Sequence, residues 1–431
     1  MKKSILTAYL VAISLFSFSQ EAKDSSLSCR FMVFSDPHYY DPSLGTGGAA
    51  FQHYLDHDRK LLKESRELLI EAINLVNNSE ADFILVPGDL TKDGTRVSHE
   101  AFAALMHEIE KNGKQVYVVP GNHDISNGES KAFRGDSAIL VDNIDAEDFS
   151  EIYRNFGFGE AISRDSSSLS YLVEPVQGLW ILALDACRYR ENKSGSHPIT
   201  DGRFSNETLA WIEEMAGRAA QENKKLLAFM HHGIIEHYEK QERFFGEYVV
   251  DDYKKVSKLF AGIGINVVFT GHFHSQDITI QNWKDGNFIV DVETGSLVTY
   301  PCPLREVSLA GDQLTIRSHF ITEIPSYPES FEQFSMEYAH AGIAGIAEAV
   351  MISMWLKPED AAKLSGQIGD AFIAHYRGDE PIVERYLDVS GVGLLGRLMI
   401  LTKRRLIKEL HTDLYPADNQ IIIDLRTGTT E

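Results

Sequence analysis

Five short apolar runs in this chain each end on Asp, Asn or His, and that recurrence constrains the fold more than any other feature. Residues 31–35 run into Asp36-Pro37-His38, 83–87 into Gly88-Asp89, and 116–120 into Gly121-Asn122-His123-Asp124. Residues 226–230 run into His231-His232-Gly233, and 267–270 into Gly271-His272-Phe273-His274. Runs of this length and composition read as buried strands. Between them, 58–76, 98–111 and 208–220 carry apolar residues at helical spacing, so strands alternate with helices in an α/β layered domain. In an open α/β sheet, ligands bind outside the carboxyl ends of the strands, which predicts that the five tips converge. Taken singly, a histidine after a strand is a surface or satisfied residue, and Asp after Gly is a turn. His272 and His274, at alternate positions, share a side. Five such tips in one structural slot, holding six of the sixteen histidines, read together as a shared metal site.

A further apolar run at 179–184 ends in Asp185-Ala186-Cys187-Arg188-Tyr189, where Arg188 or Tyr189 is a weaker candidate for a phosphate contact. Runs at 277–280, 288–293, 306–309 and 313–320 lack helices between them and predict an antiparallel finish to the sheets. Past Ile324-Pro325 the texture changes. Residues 331–356, 358–376 and 391–410 read as helices and 420–425 as one late strand, and the Ala/Gly/Met-rich run over 339–355 is expected to pack a core. These readings divide the chain into 1–19, 20–324 and 325–431.

The first segment has the pattern of a secretory signal: Lys2 and Lys3, an apolar run over 5–18, and small residues at Ser17 and Ser19, with cleavage expected after Ser19. An exported protein, periplasmic or extracellular, follows; an uncleaved N-terminal anchor is the competing reading. The run is short for a stable membrane span of about 20 residues. Three scattered cysteines (Cys29, Cys187, Cys302) lack paired metal spacing and are expected as free, buried thiols, although an exported chain could pair two of them.

The ordered set Asp36-x-His38, Gly88-Asp89, Gly121-Asn122-His123-Asp124, His231 and Gly271-His272-x-His274 resembles the calcineurin-like metallophosphoesterases, the superfamily of purple acid phosphatases and class III cyclic-nucleotide phosphodiesterases. The resemblance implies a four-layer α/β/β/α sandwich, here with a mostly helical C-terminal extension, and two metal ions at the tips of the central sheets. It implies Asp36, His38 and His274 on one metal, Asn122, His231 and His272 on the other, and Asp89 bridging both. His231 fits the family's strand-end position better than His232, which follows it. An imidazole and carboxylate set suits Fe, Mn or Zn rather than an all-oxygen ion such as Mg or Ca. The resemblance also implies that a metal-bridging hydroxide attacks phosphorus while Asn122 and His123 bind phosphoryl oxygens and His123 protonates the leaving alcohol. Asp124 would orient His123 or, the preferred reading, cap a following helix.

The function expected is hydrolysis of a small phosphate ester, a phosphodiester of cyclic-nucleotide-like kind. A secreted acid-phosphatase-like phosphomonoesterase is the alternative, and a catalytically idle binding protein the non-enzymatic one. A net charge of -22 argues against nucleic acid as a partner, because phosphate-backbone affinity comes from Lys and Arg. A local site can still hold a small phosphate: two divalent ions, two carboxylates and a hydroxide leave about +1, and a ferric–divalent pair about +2. Bland readings suffice for the Gly45-Thr46-Gly47-Gly48 loop, which lacks the P-loop Lys-Ser/Thr, and for His53, Asp56 and His57 at a solvated helix start. Residues 236–248 have the aromatic and charged composition of a lid. Oligomeric state has no sequence signal.

Overall fold

The structure is a computed structural model and describes residues 27–380 and 386–431. The segment 1–19, expected above to be a secretory signal, therefore lies outside the described residues. The strands are β1 (Ser28–Val33), β2 (Phe83–Pro87), β3 (Gln115–Val119), β4 (Lys131–Arg134), β5 (Ser137–Leu140), β6 (Ser163–Arg164), β7 (Tyr171–Val176) and β8 (Leu179–Leu184). They continue as β9 (Lys225–Met230), β10 (Val267–Thr270), β11 (Asp277–Asn282), β12 (Phe288–Glu293), β13 (Pro303–Ala310), β14 (Gln313–Phe320) and β15 (Gln420–Asp424). One sheet has the order β15-β14-β13-β1-β2-β3 and the other β11-β12-β10-β9-β8-β7-β6, with β4-β5 a separate hairpin.

The helices are α1 (Ala49–Leu55), α2 (Ser65–Asn78), α3 (Arg96–Glu110), α4 (Ala146–Ile152), α5 (Asn206–Gln221), α6 (Gln241–Phe245), α7 (Tyr253–Gly262), α8 (Phe331–Ser353), α9 (Pro358–Arg377) and α10 (Leu394–Glu409). Both sheets and the apolar faces of α2 and α3 share one core, where Phe31 stacks on Phe83 and meets Phe269 of the facing sheet edge-on. A second core joins α5 and α7 to the outer face of the second sheet through Ile212, Met215, Val256 and Phe260. The result is the α/β/β/α layering expected of the resemblance. Within each sheet the strands that carry the motifs are parallel: β1, β2 and β3 in the first, β8, β9, β10 and β12 in the second. Parallel neighbours end together, which is what brings the tips to one side. The late strands are antiparallel as expected, except that β12 runs parallel to β10.

The first helical stretch, 58–76, begins later than its periodicity suggests, at Ser65. Residues 58–64 form turns in which Asp58 Oδ1 accepts the backbone N–H of Arg59 and Lys60, and Leu61 N–H donates to Val298 C=O. These bonds hold Arg59 and Lys60 at the head of α2 rather than on its flank. Beyond Ile324, α8, α9 and α10 build an apolar cluster of their own that also takes in Tyr238 and Phe273. The chain then returns: β15 pairs with β14, and the buried Arg305 guanidinium of β13 donates to the carbonyls of Glu293 and Asp418. Among the described residues no helix is long and apolar enough to cross a membrane. The three cysteines are free, Cys29 and Cys302 buried and Cys187 half-buried.

Candidate metal centre

Five of the motif histidines and acids leave their strands on an unusual backbone. Asp36, His38, Asp89, His272 and His274 have φ of 49°, 37°, 47°, 78° and 73°, a left-handed region that costs non-glycine residues about 1–3 kcal/mol each. Five such residues gathered at the strand tips, where packing alone offers no reason for the strain, mark a functional constellation. The glycines of the motifs serve close approach. A Cβ at Gly121 would lie 2.1 Å from Asp89 Oδ1, and one at Gly271 would lie 2.0 Å from Ser35 Oγ. A side chain at either place would push a candidate ligand off the tip.

The structure brings all eight sequence-predicted site residues together. Asp36, His38 and His274 form one group in which His38 Nε2 is 3.2 Å from His274 Nε2, and Asp36 Oδ1 is 3.4 Å from His274 Nε2. Asp89, His231 and His272 form another, joined by Asn122, whose Oδ1 lies 3.1 Å from His231 Nε2. Asp89 Oδ2 faces both, 3.6 Å from His38 Nε2 and 3.4 Å from His231 Nε2. The sets match the two-by-three division plus a bridge that the resemblance implies. Seven of the eight are buried, and His123 is half-buried with its side chain 25% exposed.

Hydrogen bonds outside the cluster fix how the rings sit. His231 Nδ1–H donates to Pro87 C=O, leaving the Nε2 lone pair inward. The Nε2–H of His272 donates to Glu247 C=O, and Thr299 holds His274 Nδ1. Asp36 Oδ2 accepts from Ser35 Oγ–H and the His272 backbone N–H, while Asp36 Oδ1 is buried with no protein partner. A carboxylate oxygen without a hydrogen bond, facing imidazole nitrogens at 3.4 and 3.9 Å, is an environment that cations complete. The residues present fit two transition-metal ions.

Electrostatics agree. Burial drives His38 and His272 well below the usual histidine range and His274 down to about 4, so these rings are neutral ligands near pH 7. Burial opposes ionisation of Asp89, yet His231 and His123 hold it well below the carboxylate range. His231 is raised to about 9 against its burial by the charges of Asp89 and Asp36. His232 turns away: its Nε2 bonds Thr200 C=O and burial takes it down to about 3.

Asp124 differs from expectation. It caps no helix and does not touch His123; its carboxylate accepts from the backbone N–H of Leu90, Thr91 and Gly121 and from Thr91 Oγ–H, tying the β2 tip to the β3 tip. The carboxylate beside His123 is instead Asp93, with Oδ1 3.6 Å from His123 Nδ1 and Lys92 paired to its other oxygen. Neither Lys92 nor Asp93 was singled out from sequence, although they follow Asp89 by three and four residues on the same tip. Lys60, buried and paired with Asp58 at 3.8 Å, was missed as well because the helix was drawn through it. Arg188 is taken by Glu191 and Tyr189 by Asp185, and His53, Asp56 and His57 are exposed as expected, but at the end of α1 rather than at a helix start. The Gly45 loop is held by Tyr40 Oη–H on Gly45 C=O and by Arg134 on Leu44 C=O. Residues 236–248 fold into α6 and a short turn packed against α8–α10.

The chain is a member of the calcineurin-like phosphoesterases, whose family model matches residues 29–276 and so takes in every motif. It is 22% identical over 299 residues to the metallophosphoesterase-like protein YydB of Bacillus subtilis, which covers 63% of this chain. The match takes in 54% of that relative, so the chain spans about half the length of the curated protein it resembles. Among solved structures it is similar to a dimetal phosphatase from Danio rerio (15% identity, TM-score 0.46, 68% of this chain and 96% of that one). It is likewise similar to a purple acid phosphatase from yellow lupin seeds (12% identity, TM-score 0.45, 68% and 52%).

Proposed function

We propose that the chain is an exported dimetal phosphodiesterase that cleaves the P–O bond of a small phosphodiester, with Asp36, His38, Asp89, Asn122, His231, His272 and His274 as ligands. Two bound transition-metal ions would supply a water of lowered pKa and the positive charge that balances a phosphoryl group. Asp89 is placed to be shared between the ligand groups, its Oδ1 held by the His123 backbone N–H at 2.8 Å. The neutral rings of His38, His272 and His274 keep carboxylate charge in the site low, so an anion is not repelled.

The observation that carries the reading is His123. It is the one half-buried side chain at the mouth of a buried ligand set, and its ring stands edge-on to His38 at 5.0 Å. Asp93 lies against its Nδ1 side, which orients the ring and steadies the imidazolium. His123 holds the proton that the departing alcohol oxygen takes. A diester monoanion suits the charge balance better than a monoester dianion, since Lys60 and Lys92 are each neutralised by their own carboxylate, Asp58 and Asp93. The phosphomonoesterase reading is supported by the export signal at Lys2, Lys3 and residues 5–18, which a cyclic-nucleotide substrate does not explain.

Mn-, Fe- and Zn-loaded protein assayed against bis-p-nitrophenyl phosphate, p-nitrophenyl phosphate and cyclic nucleotides decides between them. We expect the diester to be cleaved at least about tenfold faster than the monoester. Faster monoester cleavage reverses the order, and no hydrolysis with any metal overturns the enzyme reading. Mass measurement of the mature N-terminus after expression tests cleavage after Ser19.

A further inference from the structure

The run over 339–355 was expected to disappear into a core, and it does so only in part. Ile346, Val350 and Met354 are 41%, 53% and 53% exposed, and with Ile343 and Met351 they line a cavity of about 440 Å³. The other walls come from α9 and α10, through Phe372 and Ile400. Arg59 and Lys403 are the only charged side chains among its lining residues. The volume lies in the range of small-molecule pockets, roughly 300–1,000 Å³. A water-filled apolar space of this size is costly to leave open, and an apolar ligand is what it best accommodates.

The cavity shares a wall with the metal centre. Phe273, between His272 and His274 in the chain, lines it. Tyr248 lines it too, and its ring sits at a 43° tilt 4.5 Å from that of His272. Arg59 stands at the same wall, with its Nε buried and without a hydrogen-bond partner. A cation at the seam between an apolar pocket and a phosphate site is where the anionic head of an amphiphile would pass.

We propose that this cavity receives a long aliphatic chain of the ester, so that the substrate is an amphiphilic phosphodiester with its phosphate at the metal centre and its hydrocarbon between α8, α9 and α10. This rests on the phosphodiesterase reading above and narrows its substrate class. Each methylene that enters the cavity raises affinity by up to about fourfold.

The test is a series of alkyl p-nitrophenyl phosphates from methyl to dodecyl, below their micelle concentrations, with calorimetric titration of methylphosphonate and dodecylphosphonate as a readout independent of turnover. The expected result is a kcat/KM that climbs about 100-fold or more along the series and a dodecylphosphonate affinity at least about 100-fold above that of methylphosphonate. In the double variant Ile346→Asp/Val350→Asp, at exposed mouth positions, both ratios fall to within about threefold of one. Flat ratios in the unaltered protein overturn the inference and leave the hydrolase reading intact if the methyl ester is cleaved. Tight dodecylphosphonate binding with no ester cleaved keeps the cavity assignment and removes the hydrolase. Binding only to phosphatidylcholine vesicles, or a dimer in sedimentation that binds neither phosphonate, overturns it in favour of a membrane or self-association face.

Discussion

Two buried clusters in this protein are made of the same residue types and behave in opposite ways. The metal centre gathers Asp36, Asp89 and five histidines at the strand tips, and its rings are mostly driven neutral. The second cluster lies where α9 meets β11 and β12. There His237 Nδ1 is 2.7 Å from Asp277 Oδ1 and its Nε2 is 3.2 Å from Asp291 Oδ2, while His375 Nδ1 is 2.6 Å from Glu380 Oε1. Despite burial, these carboxylates raise His237 well above the usual histidine range and raise His375 too. Each imidazole in the second cluster is matched by at least one carboxylate at hydrogen-bond distance, so the protein supplies its own cations. In the first, imidazoles outnumber carboxylates and Asp36 Oδ1 has no partner, so the cation must come from outside. The ratio and spacing of the same groups separate a structural ion network from a metal site.

The largest effect that tests this contrast is at Asp89. Asp89→Ala is expected to lose both metals, measured by elemental mass spectrometry, and more than about 10⁴-fold in hydrolysis, while folding survives. Retained metal with full activity would sink the assignment of the bridge. His237→Ala should do the reverse. It strips a paired cation from among Asp277, Asp291 and Glu293, so a loss of about 3–5 kcal/mol in denaturant stability is expected with metal content unchanged. A variant as stable as the parent would mean that the second cluster is not an ion network in solution.

These clusters also mark what the sequence could and could not disclose. Every residue of the first sits within four positions of an apolar strand run, so a local pattern flags it. The second draws on positions 237, 277, 291, 293, 375 and 380, which share no motif and meet only because α9 docks on the second sheet. Residue burial there is a product of tertiary packing, invisible to periodicity. The same reason hid Arg59 and Lys60, whose apolar spacing continues that of α2 although Asp58 and Val298 hold them in turns. Asp124 misled because Asp after a strand suggests a cap, and no helix begins until α4. The change to helices after Ile324 was legible, but the exposed face of α8 was not, since an apolar run does not say which of its residues find a partner.

A middle-sized effect separates ligands from the proton carrier within the metal centre. His123→Ala is expected to keep both metals and lose about 10²–10³-fold in kcat on esters with poor leaving groups, with a smaller loss on p-nitrophenyl esters, whose leaving group needs little protonation. Equal losses on both would assign His123 to substrate binding alone.

The smallest effect lies on the rim of the second cluster. Burial, with the charges of Glu380 and Asp277 nearby, raises Asp413 from the ordinary carboxylate range to about 7. A carboxyl group that binds its proton more tightly in the folded state favours folding while protonated. Its contribution is therefore full below about pH 4 and declines as pH rises through 7, the opposite of a carboxylate held ionised by a partner. Because the Asp413 residue as a whole is exposed to solvent, the slope is strongly damped by screening. Asp413→Asn should flatten the fall in denaturation midpoint between pH 5 and 8 without altering metal content. If the parent shows no such fall, or the variant keeps it, the surplus negative charge of the second cluster is already neutralised by His237 and His375, and the contrast with the metal centre becomes sharper still.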